Sequence, residues 1–282
     1  MTAQSEGGTD MDAADRYNAM VRARQDQQRR LSRPFDEAYW KRYAHTYRFD
    51  PTRSPERSLK ELIRRLEWED EIVEIGGGAG RMGLPLALRA GSLRNVEPSS
   101  AMREQFRISA QEHEIGNAEA IASAWPMREP ISADVGLTVD VTYFIDDIEP
   151  FIRAMHESAR RRVMILTWTV PPPNVSSSLF RIAFGEDEQP SPGFKELLPV
   201  IWDLGIAPDV TVMDEPFTWP ERLPREDDAA VRFAIEEIAA HDHPGAADNI
   251  RARLDDLFTR GEVYRPEWRT PANAMLITWS TE

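Results

Sequence analysis

The sequence predicts an open α/β sheet with mostly parallel strands. Three observations carry that expectation. Short apolar runs alternate with helix-period patterns from residue 54 to the C-terminus. The run EIVEI, 71–75, breaks directly into a glycine cluster that opens the next helical pattern. A second strongly apolar run, VMILTWT at 163–169, is followed by three prolines.

Residues 1 to about 12 are polar and glycine-rich and read as disordered. Residues 13–34 read as a mostly polar helix or a loose arm, so 1–34 is treated as a polar arm outside the domain. FDEAYWKRYAHTYRFD, 35–50, holds six aromatic residues in sixteen positions, a density expected of a segment folded over core or ligand. In SPERSLKELIRRLEW, Ser54 suits a cap and Pro55 a first turn, and Leu59, Leu62, Ile63 and Leu66 recur at helical spacing. Residues 35–66 then form a cap.

Glu71–Ile75 is the first strand. RMGLPLALRA is expected to be a helix stopping at Gly91, SLRNVE a second strand, and PSSAMREQFRISAQE a turn and helix. ADVGLTVDV is a strand from about Ala133. Asp147 opens a helix with Phe151, Ala154, Met155 and Ser158 on one face. FKELLPVIWDLG is a helix closed by Gly205, and VTVMDEPFTW a strand. Helical patterns at 226–240 and 246–260 precede a last strand, ANAMLITWS. The loop PPPNVSSS, 171–178, leaves a strand's carboxyl end, where ligands bind in such sheets.

The formal charge of −14 disfavours nucleic acid and anionic membrane as partners. The absence of cysteine excludes disulfides, thiolate catalysis and thiolate metal sites. The first residues do not resemble a signal peptide, and no run approaches the ~20 apolar residues of a membrane helix. A cytoplasmic protein is the expectation.

IVEIGGGAGRMG places five glycines around one short apolar run. A nucleoside-triphosphate cradle needs Lys followed by Ser or Thr after its last glycine, and Arg81, Met82 and Gly83 stand there instead. The dinucleotide fingerprint fits only from Gly78, too far past the strand for its tight first turn, and stays as an alternative. Glu74-x-Gly76-x-Gly78-x-Gly80 fits without adjustment. EIVEIGGGAGRMGLPLA resembles the first motif of the class I S-adenosylmethionine-dependent methyltransferases.

That resemblance implies a doubly wound, Rossmann-like sheet with an antiparallel last strand, an N-terminal helical cap and a helical insertion before the last strand. It implies cofactor binding by 70–170 and substrate-side loops and a lid in 171–265. The implied cofactor is S-adenosylmethionine, with S-adenosylhomocysteine as product. Glu74 would organise the loop, since a carboxylate accepts loop N–H groups and glycines admit close approach. Glu97 in NVEPSSAM, 21 residues after Gly76, would bind the ribose diol, with Met102 near the adenine. In IGNAEAIASAWP, Asn117 stands where the family often has Asp, and with Ala118 would meet the adenine edge. Thr138 and Val139 would flank the amino-acid part of the cofactor, and Tyr143 or Asp140 could face substrate. Tyr43, one helical turn from Tyr47, would close over the cofactor.

His45, Tyr143 and Asp140 are candidate bases for a hydroxyl acceptor. His241-Asp-His243 reads as a polar turn rather than a metal site, and His156 as structural. Arg81 is expected to hold a carboxylate, from cofactor or fold, or to be a surface residue. Phe180, Phe184, Phe194, Trp202 and Trp219 are expected either to line an acceptor pocket or to form the lid's own core. The predicted activity is methyl transfer to a small molecule. A nicotinamide-dependent oxidoreductase and a silent cofactor-binding protein are the alternatives. The polar N-terminal helix could mediate a homodimer.

Overall fold

The computed structural model describes residues 11–32, 36–217 and 223–281. Its centre is a seven-stranded sheet. Strands β1 (Glu71–Ile75), β2 (Ser92–Val96), β3 (Ala118–Ile121), β4 (Ala133–Val139) and β5 (Ala159–Trp168) run parallel to one another. β6 (Asp209–Pro216) forms one edge, and a two-stranded ribbon, β7 (Phe258–Thr259) with β8 (Arg265–Pro266), lies apart. β9 (Asn273–Ser280) inserts between β5 and β6, antiparallel to both, giving the order β3-β2-β1-β4-β5-β9-β6.

The helices are α1 (Ala13–Arg30), α2 (Glu37–Tyr43), α3 (Arg57–Ile63), α4 (Gly83–Ala87), α5 (Ser100–Glu112), α6 (Ile148–Ser158), α7 (Ser177–Phe184), α8 (Phe194–Asp203), α9 (Asp227–Glu237), α10 (Ala246–Arg251) and α11 (Leu254–Leu257). On one face of the sheet, Leu59, Leu62, Leu84 and Phe106 of α3, α4 and α5 pack on Ile72, Leu137 and Leu276. On the other, Tyr17, Phe151, Met155, Leu197 and Ile201 of α1, α6 and α8 pack on Val163, Ile165 and Ile277. The residues of β1, β4 and β5 are apolar on both faces because both faces are covered. α7 and α9–α11 close around a third cluster that includes Ala230, Ile250, Leu254 and Trp268.

Several details depart from the sequence reading. Residues 13–30 are not a loose arm. Tyr17 is fully buried, and Arg24 pairs with Glu188 at 2.6 Å with both side chains nearly sealed from solvent. Asn18 accepts from the Ile148 amide at 3.0 Å, so α1 supplies the cap that Asp147 does not. The helix expected from Ser54 starts at Arg57. Ser54 caps nothing there; Glu215 of β6 holds the Ser58 amide and hydroxyl instead. The second of the two late helical patterns breaks into α10 and α11, and Phe258 leaves it as a strand. IGNAEAIASAWP, to which the sequence assigned no element, contains β3, too short and too mixed in polarity to register as a strand. No helix among the described residues is long and apolar enough to cross a membrane.

Candidate cofactor-binding site

Chain order reverses between β1 and β4, and the carboxyl ends of these strands with β2 open onto one cavity of about 550 Å³. This is the crevice where open α/β sheets bind ligands. Its floor is the loop after β1. Gly76 and Gly78 adopt left-handed backbone, φ 68° and 55°, and a Cβ on Gly76 would run into Val141. Gly80, φ 87°, does not line the cavity; a side chain there would strike Leu84 and Phe106, so it serves packing.

The loop is clasped by β2. Asn95 accepts from the Gly77 amide and donates to the Gly78 carbonyl, both at 3.0 Å. Glu97 accepts from Gly78 N at 3.1 Å and from Ser99 N at 2.8 Å. The expectation that Glu74 takes the loop amides is therefore corrected: Asn95, its register partner on β2, and Glu97 do so. Asn95 carries no signal of its own in the sequence, being one of three polar residues in β2.

Glu74 lines the cavity, is 1% exposed, and its Oε2 has no hydrogen-bond partner. Burial pushes its carboxyl up to about 7 against the pull of Arg81. Burial also raises Glu97, opposed by the Ser99 and Gly78 amides.

The wall after β4 carries Val139, Asp140 and Val141. Asp140 is a non-glycine residue at φ 58°. Arg81 meets its Oδ2 at 2.7 Å, and the Trp168 indole donates to Oδ1 at 2.8 Å. Arg81 thus holds a carboxylate of the fold. Burial raises Asp140, with Arg81 opposing. Thr138 is fully buried and donates to the Ile75 carbonyl at 2.9 Å, joining β4 to β1 rather than facing the cavity. Met102 lines the cavity, as do Ala124 and Trp125 after β3.

Besides Gly80 and Thr138, five more expected site residues lie off the cavity wall. Asn117 and Ala118 stand at the amino end of β3, the opposite end of the sheet. Asn117 Nδ2 donates to the carbonyls of Ala87, Ala90 and Gly91. Past the carboxyl end of this strand, Ala124 and Trp125 reach the cavity wall instead. His45 is exposed and not on the cavity wall. Tyr43 packs against Tyr39, ring centroids 4.7 Å apart, and Trp40 with Tyr47 reaches the cavity in its place. Tyr143 is buried behind the wall. Burial, then Asp140, hold its phenol well above the ordinary value.

The remaining cavity wall comes from α1, through Gln25, Gln28 and Arg29, and from Asp36, Phe144 and Ile145. Phe180 and Phe184 stack on one another in α7, Phe194 is the first residue of α8, and Trp202 of the same helix is exposed. None of them lines the cavity; Trp219 lies outside the described residues. His243 packs its ring against Phe184 at 4.6 Å, and His156 accepts from the Trp279 indole at 3.1 Å.

No protein-family model matches the chain, and no curated protein matches it. Solved structures do. The YcgJ protein of Bacillus subtilis is 15% identical, with 78% of this chain and 97% of that one covered at a TM-score of 0.51. The BH2331 protein of Bacillus halodurans C-125 is 8% identical, covering 79% and 97% at 0.52. Magnesium protoporphyrin IX methyltransferase (ChlM) from Synechocystis PCC 6803, solved with SAH bound, is 10% identical, covering 92% and 99% at 0.51. With a parallel sheet reversed between β1 and β4 and an antiparallel β9 inserted before the edge, the chain has the Rossmann-like fold of the S-adenosylmethionine-dependent methyltransferases.

Proposed function

We propose that the protein binds S-adenosylmethionine in this cavity and transfers its methyl group to a small-molecule acceptor. The observation that carries the reading is the glycine floor, clasped by Asn95 and Glu97, beneath a buried Glu74 whose Oε2 has no partner. The residues fit the group. Exposed glycine backbone admits close approach, and an acidic lining suits a cation. Glu97 stands where a ribose diol would be held, and Met102, Ala124 and Trp125 offer a surface for a base.

When bound, S-adenosylmethionine supplies a methyl group already activated on a cationic sulfur and leaves as S-adenosylhomocysteine. The chain's part is to orient, confine and exclude water. Gly76–Gly78 and Glu97 fix the donor. Trp40, Tyr47 and Phe144 close the space opposite. None of the three candidate bases is placed to serve: His45 is exposed, Tyr143 stays protonated, and both Asp140 oxygens are engaged. The acceptor therefore brings its own nucleophilicity, and rate comes from alignment.

Calorimetric titration with S-adenosylmethionine, S-adenosylhomocysteine and NAD tests the reading, with Glu97→Ala alongside. Binding of the two sulfur compounds, weakened in the variant, supports it. Binding of NAD alone would replace it with a nicotinamide enzyme.

A further inference from the structure

Two buried polar groups face the cavity without a full set of protein partners. One is Glu74, on the floor. The other is Gln28, on the roof: it is 8% exposed, lines the cavity, and its amide bonds to no other described residue. The amide opens onto the cavity with its donors and acceptor free of partners among the described residues, so it is available to pair with a ligand group. Gln25 differs, since its Nε2 already reaches the Phe144 carbonyl at 3.4 Å.

α1 holds Gln28 in a set orientation. Gln25, Gln28 and Arg29 share the face turned to the cavity, at i, i+3 and i+4. The adjoining face, where Arg24 lies one turn before Gln28, is latched to the loops on either side of α7. Arg24 bonds the carbonyls of Gln189 and Pro173 as well as Glu188, and Gln27 bonds Asp187 O and Gln189 N. The helix cannot roll to give Gln28 an internal partner without breaking these bonds.

The lining also bears on ligand charge. Carboxylates of Asp36, Glu74, Glu97 and Asp140 face two guanidinium groups. Arg81 is committed to Asp140, and Arg29 pairs with Asp26 on the outer surface. Among the described lining residues carboxylates outnumber guanidinium groups, which disfavours an anionic acceptor. The rest of the roof is Trp40, Tyr47, Phe144 and Ile145, a surface for a planar or apolar body.

We infer that Gln28 is a specificity-determining residue, and that the acceptor is an uncharged planar or apolar molecule whose carbonyl, amide or hydroxyl group pairs with the Gln28 amide. This inference rests on the methyl-transfer reading for the identity of the ligand as acceptor. The contact itself does not depend on it.

The test uses full-length protein saturated with S-adenosylhomocysteine and ligand-observed NMR titration of naphthamide, naphthoate and naphthalene. The expected result is that naphthamide binds at least about tenfold more tightly than either of the others. Gln28→Met should remove that advantage while leaving naphthalene and S-adenosylhomocysteine affinity within about twofold. Naphthoate binding as tightly as naphthamide, an unchanged ratio in Gln28→Met, or no binding of any probe overturns the inference. Should Gln28→Met not fold, the three-probe comparison in the native protein decides alone. The methyl-transfer reading fails separately, by absence of S-adenosylhomocysteine binding in the titration that precedes the probes.

Discussion

The guanidinium of Arg81 lies 2.7 Å from the carboxylate of Asp140, joining the end of the glycine loop to the end of β4. The Trp168 indole takes the other oxygen. Asp140 is thereby a structural clasp of the site. A general base in its place would leave a different signature on substitution.

Asp140→Asn tests that distinction. Asparagine tolerates the left-handed backbone at this position and keeps the shape. Loss of a base would cut turnover by about 10²–10⁴ and abolish the acidic limb of the pH–rate profile. The clasp predicts a smaller loss, about tenfold, with the limb retained. Arg81→Met should be strongly non-additive with it in a double-mutant cycle.

Asn95→Ala removes both bonds that pin Gly77 and Gly78. Expected outcomes are a loss of about 2 kcal/mol in urea unfolding and a drop of about tenfold or more in S-adenosylmethionine affinity by calorimetry. Asn95→Asp keeps the acceptor for Gly77 but not the donor for Gly78, and should bind between the two.

Glu74 makes stability depend on pH. Its carboxyl is raised from 4.5 to about 7 in the fold. Between those values the folded chain holds a proton that the unfolded chain has released. Stability from this group is thus full below about 4.5 and is lost as pH rises through about 7, by an amount on the order of 3 kcal/mol. Thermal unfolding across that window should show the decline, and Glu74→Gln should flatten it.

Gly83→Ala places a methyl group against the buried Glu74 carboxylate. A cost of about 2 kcal/mol is expected, with weaker cofactor binding as the loop shifts. Gly116→Ala meets nothing within 4 Å and serves as the control, within about 0.5 kcal/mol of the parent in urea unfolding.

Arg24→Ala strands Glu188 in a nearly sealed site. Unfolding free energy should fall by about 3 kcal/mol, while Arg24→Met with Glu188→Met should recover much of it. Limited proteolysis between α1 and α2 should accelerate in the single variant, since the latch on α1 is gone.

Local sequence determined the longer strands of the sheet, the glycine floor and the acid at the end of β2. Each of these is written in consecutive residues: a buried strand as an apolar run, a tight loop as glycines, a strand end as a carboxylate next to a turn. It also carried the order of elements, and with it the fold class. Tertiary structure decided which side chains meet. Asn95 became the loop's clasp because β2 pairs in register with β1, a relation between residues 74 and 95 that no local pattern contains. Asn117 fell at the wrong end of the sheet because β3, four residues long, was too short to announce itself by periodicity. α1 reads as a polar arm because its buried face includes Arg24 and Gln27, residues that bury only when partners distant in the chain satisfy them. Those partners, and the roof that Gln28 makes over the cavity, exist only once the chain has closed on itself.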